Sequence, residues 1–390
     1  MTSKNAMGAL SSLKKLKKVV APIALVSSAV AVSAPSYAAD TEKLKVFVSF
    51  GFYGNTWMEQ NKNMMEALTK SSDYSDKVDI EFQVVNNGDA QRQAQQINGM
   101  VEAGADLIVM YPSSPTALNR SIRNACRQGI SVIAWDSTVS ERCATNVHAD
   151  NKVLATNQAE WAVKAINESG NILMINGAPG VAANDDRVVA AKKVYDKYPN
   201  VNVVAEVNGM WSDPVVLGEL SKVMAVKKWS DIDIATAQLG CYPFYQLQDS
   251  AGIPDAEKIP CAGSAEISER VALMDPNTDV GETEGAFRPM GIKGQTFEVG
   301  PVMGAQALMY GIDALLEGKE LPHDIIMDVP VVTYKDTKLC ETGSWQEMHE
   351  TGCNVFKPSM IPNTEFSVAI YSEDTPQLGL QAALNGTPEY

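Results

Sequence analysis

Aromatic rings, carboxylates and amides recur in this 390-residue chain at one kind of place, just after a short apolar run. GFYGNTW, with Asn55 and Trp57, follows LKVFVSF; Tyr111 ends DLIVMY and Asp136 ends ISVIAWD. NGAPGVAANDDR (176–187, with Asn184), NGMWSDP (208–214, with Trp211) and GSAEIS (263–268, with Glu266) hold the same place further along. A flat ring face suits an apolar face of a small ligand, and planar hydrogen-bonding groups suit its polar groups. Trp57, Trp211 and Asp136 supply both kinds of group. Asp136 and Glu266 also offer a different chemistry, the paired carboxylates of a sugar hydrolase.

Other chemistries lack their residues. No Gly-x-Gly-x-x-Gly or Gly-x-x-x-x-Gly-Lys-Ser/Thr loop follows an apolar run, so the backbone cradle for a dinucleotide or triphosphate is missing. No Gly-x-Ser-x-Gly elbow exposes a serine. His148, His323 and His349 show no zinc-ligand spacing, and no cofactor or metal is expected. DPNTD (275–279) imitates the start of a calcium loop, but Val280 stands where glycine is needed and Ala286 where a bidentate glutamate belongs; it reads as a solvated turn. With 47 acidic against 32 basic residues, a net charge of -15 excludes nucleic acid as the main partner.

The elements that carry these residues alternate. LKVFVSF (44–50) reads as a buried strand, a helix follows from Thr56 to about Lys70, and VDIEFQVV (78–85) is a second strand. Asp89 opens a helix with Ala90, Ala94, Ile97 and Val101 at helical spacing, which stops at Gly104 before DLIVMY. Leu118, Ile122 and Ala125 repeat the pattern up to Gly129, before ISVIAWD. Gly170 and Gly252 punctuate later units in the same way. Strands separated by helices require parallel pairing with right-handed crossovers, so the expected class is α/β, a doubly wound parallel sheet built twice. Ligands bind such sheets beyond the carboxyl ends of the strands, where the aromatic and polar groups lie.

The front of the chain reads differently. Residues 1–39 contain no acid and five lysines, followed by VVAPIALVSSAVAV and SAPSYAAD. A charged start, a short apolar run and small residues at Ser36 and Ala38 predict a signal peptide, residues 1–38, and hence export to the periplasm. No cysteine follows the apolar run to take a lipid.

In order and spacing, VFVSF with Asn55 and Trp57, GADLIVMYP, GISVIAWDS, VHADN, GAPGVAAND and VGPVMGAQALMYGIDALLEGKELP resemble the type I periplasmic sugar-binding proteins, close to the ribose-binding group, that serve ABC importers. The resemblance covers about residues 44–330. It implies two doubly wound lobes joined by a three-stranded hinge and closing on one ligand, with residues 40–148 plus 299–328 in the N-terminal lobe. Residues 149–298 plus 329–390 would form the C-terminal lobe, with the tail packed on it as an extension. Crossings are expected near Val147–Ala149, Phe297–Gly300 and Val329–Thr333. The resemblance puts Asn55 and Trp57 at hydrogen-bonding and stacking positions, Tyr111 at a polar one, and Asp136 on the carboxylate that grips hydroxyls. Asn184 falls on the place of a second-lobe arginine, Trp211 on an aromatic position, and Glu298 near a hinge-side amide; Glu266 stands in for a family carboxylate. Ser137 likewise replaces an arginine after Asp136. With both arginines gone, the expected ligand is a neutral monosaccharide or polyol rather than a sugar acid. The expected partners are that ligand and the membrane permease of an importer, with the protein working as a monomer and not as an enzyme. A receptor for a small signal molecule, such as a furanosyl autoinducer or an amino-polyol, is the alternative. Asp185, Asp186 and Arg187 read as a helix start, with Arg187 a further residue that could reach the ligand.

Six cysteines in an exported chain should be oxidised. Fifteen pairings are possible, and position in the expected fold selects Cys126 with Cys143, Cys241 with Cys261, and Cys340 with Cys353.

Overall fold

The computed structural model describes residues 42–85, 88–281, 287–297 and 299–390. The expected signal peptide, Glu298 and Ala286 lie outside the described residues. Two six-stranded sheets organise the rest. The first takes β1 (Leu44–Phe50), β2 (Val78–Val84), β3 (Leu107–Tyr111), β4 (Ser131–Trp135), β5 (Thr145–Ala149) and, from much later in the chain, β11 (Asp324–Met327). Its order is β11-β5-β4-β3-β1-β2, parallel throughout. The second takes β6 (Gly170–Asn176), β7 (Val201–Asn208), β8 (Ile234–Ala237), β9 (Cys261–Gly263), β10 (Gln295–Phe297) and β12 (Val331–Thr333), in the order β12-β10-β9-β8-β6-β7. The α/β, doubly wound class read from the alternation is the one observed. One pairing departs from it: β12 runs antiparallel to β10. β12 enters only a few residues after β11, with no crossover helix to turn the chain round.

Helices cover both faces of each sheet. α1 (Thr56–Lys70) and α9 (Val302–Glu317) pack together on one face of the first sheet, while α2 (Ala90–Glu102) and α3 (Asn119–Arg127) cover the other. On the second sheet, α4 (Asn151–Ala165) pairs with α5 (Ala182–Tyr195), and α6 (Asp213–Met224) with α7 (Cys241–Ser250). The strands are accordingly apolar on both sides; Val46, Val48 and Phe50 point into one core while Phe47 points into the other. Caps start the helices where the sequence offers them. Asn55 accepts from the Met58 N–H, Asp89 from Arg92 and Asp150 from Lys152 and Val153, each filling a donor that the first turn leaves orphaned. The chain passes between the sheets between β5 and α4, between β10 and α9, and between β11 and β12.

Residues 334–390 form the tail, with α10 (Trp345–Thr351) and α11 (Leu380–Asn385). Expected on the second lobe, it packs on both. α11 lies on α1, where Asn63 Nδ2 donates to the Ala383 carbonyl at 3.1 Å, and Gln306 of α9 donates to Ser372 at 2.8 Å. On the other side the Ile267 N–H at the start of α8 (Ile267–Leu273) donates to the Phe366 carbonyl at 2.8 Å. The reason is apolar surface: Val355, Phe356, Phe366, Val368, Ile370 and Leu380 are buried in the same cluster as Met64, Leu68 and Leu308 of the first half.

Sulfur–sulfur bonds join Cys126 to Cys143, Cys241 to Cys261 and Cys340 to Cys353, with Cα separations of 6.3, 5.7 and 5.2 Å. Among the described residues no helix is long and apolar enough to cross a membrane.

Candidate functional site

The carboxyl ends of the two sheets face one cleft, which encloses a cavity of about 700 Å³, its mouth included. Asn55, Trp57, Tyr111, Asp136, Trp211 and Glu266 all line it. The first four follow β1, β3 and β4; Trp211 follows β7 and Glu266 follows β9, so both sheets contribute.

Asp136 is 6% exposed and sits in the left-handed region at φ 60°. For a residue other than glycine that conformation costs on the order of 1–3 kcal/mol, which the fold supplies through the Asp136 N–H bond to the Val147 carbonyl at 2.9 Å. The strain turns the carboxylate out of the strand and into the cavity. Burial pushes its pKa above the usual carboxylate range, while the charge of Arg187 and a hydrogen bond from the Tyr111 hydroxyl pull it back. Tyr111, also buried, has its hydroxyl pushed well above 10, first by burial and then by the charge of Asp136. Tyr111 and Trp135 stack edge to face with centroids 5.9 Å apart, which holds the phenol in place.

Trp57 donates its Nε1 to the Val299 carbonyl at 2.9 Å, on the crossing between β10 and α9, so its ring is pinned at the hinge side of the cavity. Trp211 approaches from the second sheet. It and Met210 take φ near 55°, and the indole lies against Gly177 after β6; a Cβ there would collide with the ring, so the close approach requires glycine.

Asn184 does not line the cavity. Its place in the first turn of α5 turns it inward: its Oδ1 accepts from the Gly177 N–H and from Gln238 Nε2, both at 2.9 Å, and its Nδ2 donates to Asp185. It therefore holds the β6–α5 loop and the Gln238 amide. From α5 it is Ala183 and, one turn on, Arg187 that line the cavity, with the Arg187 Nε donating to Asn151 at 2.7 Å. Ala183 and Arg187 are an i+4 pair and so share the helix face turned to the cleft.

Gln238, Phe52, Phe297 and Glu365 also line the cavity and were not singled out from the sequence. Gln238 directly follows β8. Because Asn184 presents an oxygen, Gln238 must present nitrogen to it; its Oε1 is then buried with no hydrogen-bond partner among the described residues. Glu365 comes from the tail, whose position no local pattern foretells. It accepts from the Asp213 N–H at 3.1 Å. Burial and the neighbouring charge of Glu365 raise the Asp213 pKa to about 7.

The arrangement offers aromatic faces from both sheets and a ring of carboxylates and amides against one guanidinium.

Residues 46–277 match the family model described as a periplasmic binding protein domain. A xylitol-binding protein of Mycolicibacterium smegmatis is 22% identical over 173 residues, 44% of this chain and 47% of that protein. A D-xylose-binding periplasmic protein of Escherichia coli is 26% identical over 141 residues, 35% of this chain and 42% of that protein. The chain thus spans less than half the length of either. The crystal structure of an ABC transporter solute binding protein from Thermobispora bispora superposes with a TM-score of 0.64 at 23% identity, covering 75% of this chain and 86% of that one. The chain belongs to the periplasmic binding protein family and has the two-sheet fold of its type I members.

Proposed function

We infer that this protein is an exported receptor of an ABC importer that binds a neutral monosaccharide or polyol between its two lobes and releases it unchanged. The observation that carries the reading is the cavity itself, where Trp57 and Tyr111 of the first half face Trp211 and Arg187 of the second around the buried Asp136. Relatives named for xylitol and D-xylose support it. Arg187 stands in the cavity, but Asp136, Glu266 and Glu365 outnumber it, so a carboxylated sugar meets repulsion. The partner is the membrane permease of the importer, the compartment is the periplasm, and the working form is a monomer.

Calorimetric titration with D-xylose, xylitol, D-fructose, D-allose and D-galacturonate tests the reading. At least one neutral compound should bind and be recovered chemically intact, and the sugar acid should not bind. Binding of the acid alone, or conversion of a bound sugar to a new compound, would overturn it.

A further inference from the structure

Residues 363–369 of the tail run between the lobes and are tied to each. On the first-half side, Gln60 of α1 exchanges two hydrogen bonds with Ser367: its Nε2 donates to the Ser367 carbonyl at 2.9 Å and its Oε1 accepts the Ser367 N–H at 2.8 Å. Asn363 meets Thr56 at 3.2 Å, at the start of the same helix. On the second-half side, the Ser268 hydroxyl donates to the Thr364 carbonyl at 2.8 Å and the Val368 N–H donates to the Ala265 carbonyl at 2.9 Å. Phe366 is 1% exposed and packs edge to face on Phe356. Both neighbours of Glu365 are thus held, and its side chain enters the ligand cavity, where its Oε1 accepts the Asp213 N–H. A carboxylate fixed in this way loses little freedom when it takes up a ligand hydroxyl.

We propose that Glu365 is a ligand-contacting, specificity-determining residue, so that the tail decides together with the two lobes which sugars the cleft accepts. The proposal rests on the sugar-receptor reading above and deepens it. Hydroxyls are the ligand groups a fixed carboxylate selects best, since it accepts from two neighbouring O–H groups and leaves a missing one unmatched.

The test compares the full-length parent with Glu365→Gln, Glu365→Asp and Gln60→Ala by calorimetry on D-xylose, xylitol, D-fructose and D-allose, with thermal unfolding alongside. Glu365→Gln keeps an acceptor for the Asp213 N–H, so its fold should hold. Its affinity for the sugar the parent binds most tightly should fall at least tenfold, and the order of the four should change. Glu365→Asp, with the carboxylate drawn back by one methylene, should lose affinity in the same order as Glu365→Gln. Gln60→Ala loosens the anchor and should lower the melting temperature without changing the order. Glu365→Gln with the parent's affinities and order would refute the proposal alone, as would a reordering by Gln60→Ala equal to that by Glu365→Gln. A parent that binds none of the four would instead remove the sugar reading, and this proposal with it.

Discussion

At the scale of single residues the site depends on groups whose own energetics are unfavourable. Asp136 is buried and in left-handed backbone; Trp211 shares that conformation and is held against Gly177. Such positions persist only where the surroundings over-determine them. Trp211→Ala should cost about 2–4 kcal/mol of affinity for the sugar the parent binds, the range of buried aromatic anchors. Asp136→Asn should cost about 1.5–3 kcal/mol by replacing a charged acceptor with a neutral one. Calorimetry checks both, and circular dichroism should show the parent fold in each. Asp213 predicts a pH effect on stability. Its folded pKa of about 7 lies above its ordinary value of 3.8, so between those limits the folded state binds more protons than the unfolded one. This group therefore stabilises the fold less as pH rises from about 4 to 7, and Asp213→Asn should remove that component. Melting temperatures of parent and variant should draw together on the acid side and separate toward pH 7, with the variant the more stable there; curves that stay parallel would count against it.

At the scale of elements, most of the architecture was legible. The runs at 44–50 and 78–85 and the helix from Thr56 match β1, β2 and α1, and Gly104 and Gly129 stop their helices at φ near 80°. Local causes suffice there: apolar period, side-chain caps and a glycine that accepts the left-handed turn. The same logic was insufficient for Asn184. Its site-like position after β6 is consumed by a loop bond to Gly177, and the face of α5 turned to the cavity is that of Ala183 and Arg187. The three sulfur bonds tie α3 to the loop between β4 and β5, the start of α7 to β9, and two points within the tail. Non-reducing peptide mapping of the protein should recover Cys126–Cys143, Cys241–Cys261 and Cys340–Cys353 and no free thiol. Removing the tail bridge by Cys340→Ala should lower stability by about 2–4 kcal/mol.

At the scale of the whole molecule, the question is how two lobes tied by a common tail respond to a ligand. Closure is favoured only to the extent that the ligand contacts the closed form more than the open one. Groups on both sheets line the cavity, so that difference is available. Solution scattering should show a smaller radius of gyration when the protein is saturated with the sugar it binds; an unchanged radius would mean that the cleft is held in one form. The hydrogen bonds from residues 363–369 to α1 and α8 must then either be kept through the motion or be exchanged for others. Hydrogen exchange at Ser367 and Val368 distinguishes these outcomes.

The sequence alone determined the class of fold, the strand ends that carry the site, and the acidic, aromatic character of that site. All of these follow from near-neighbour patterns: apolar period, caps, turn residues and charge. Only the tertiary structure decided that Asn184 faces inward and Arg187 faces the ligand cavity, that Gln238 is left with an unmatched oxygen, and that the tail spans both lobes and brings Glu365 to the cleft. These are contacts between segments far apart in the chain. Glu365 and Asp213 are separated by 152 residues, and their meeting is set by which apolar faces remain to be covered after the two sheets have formed.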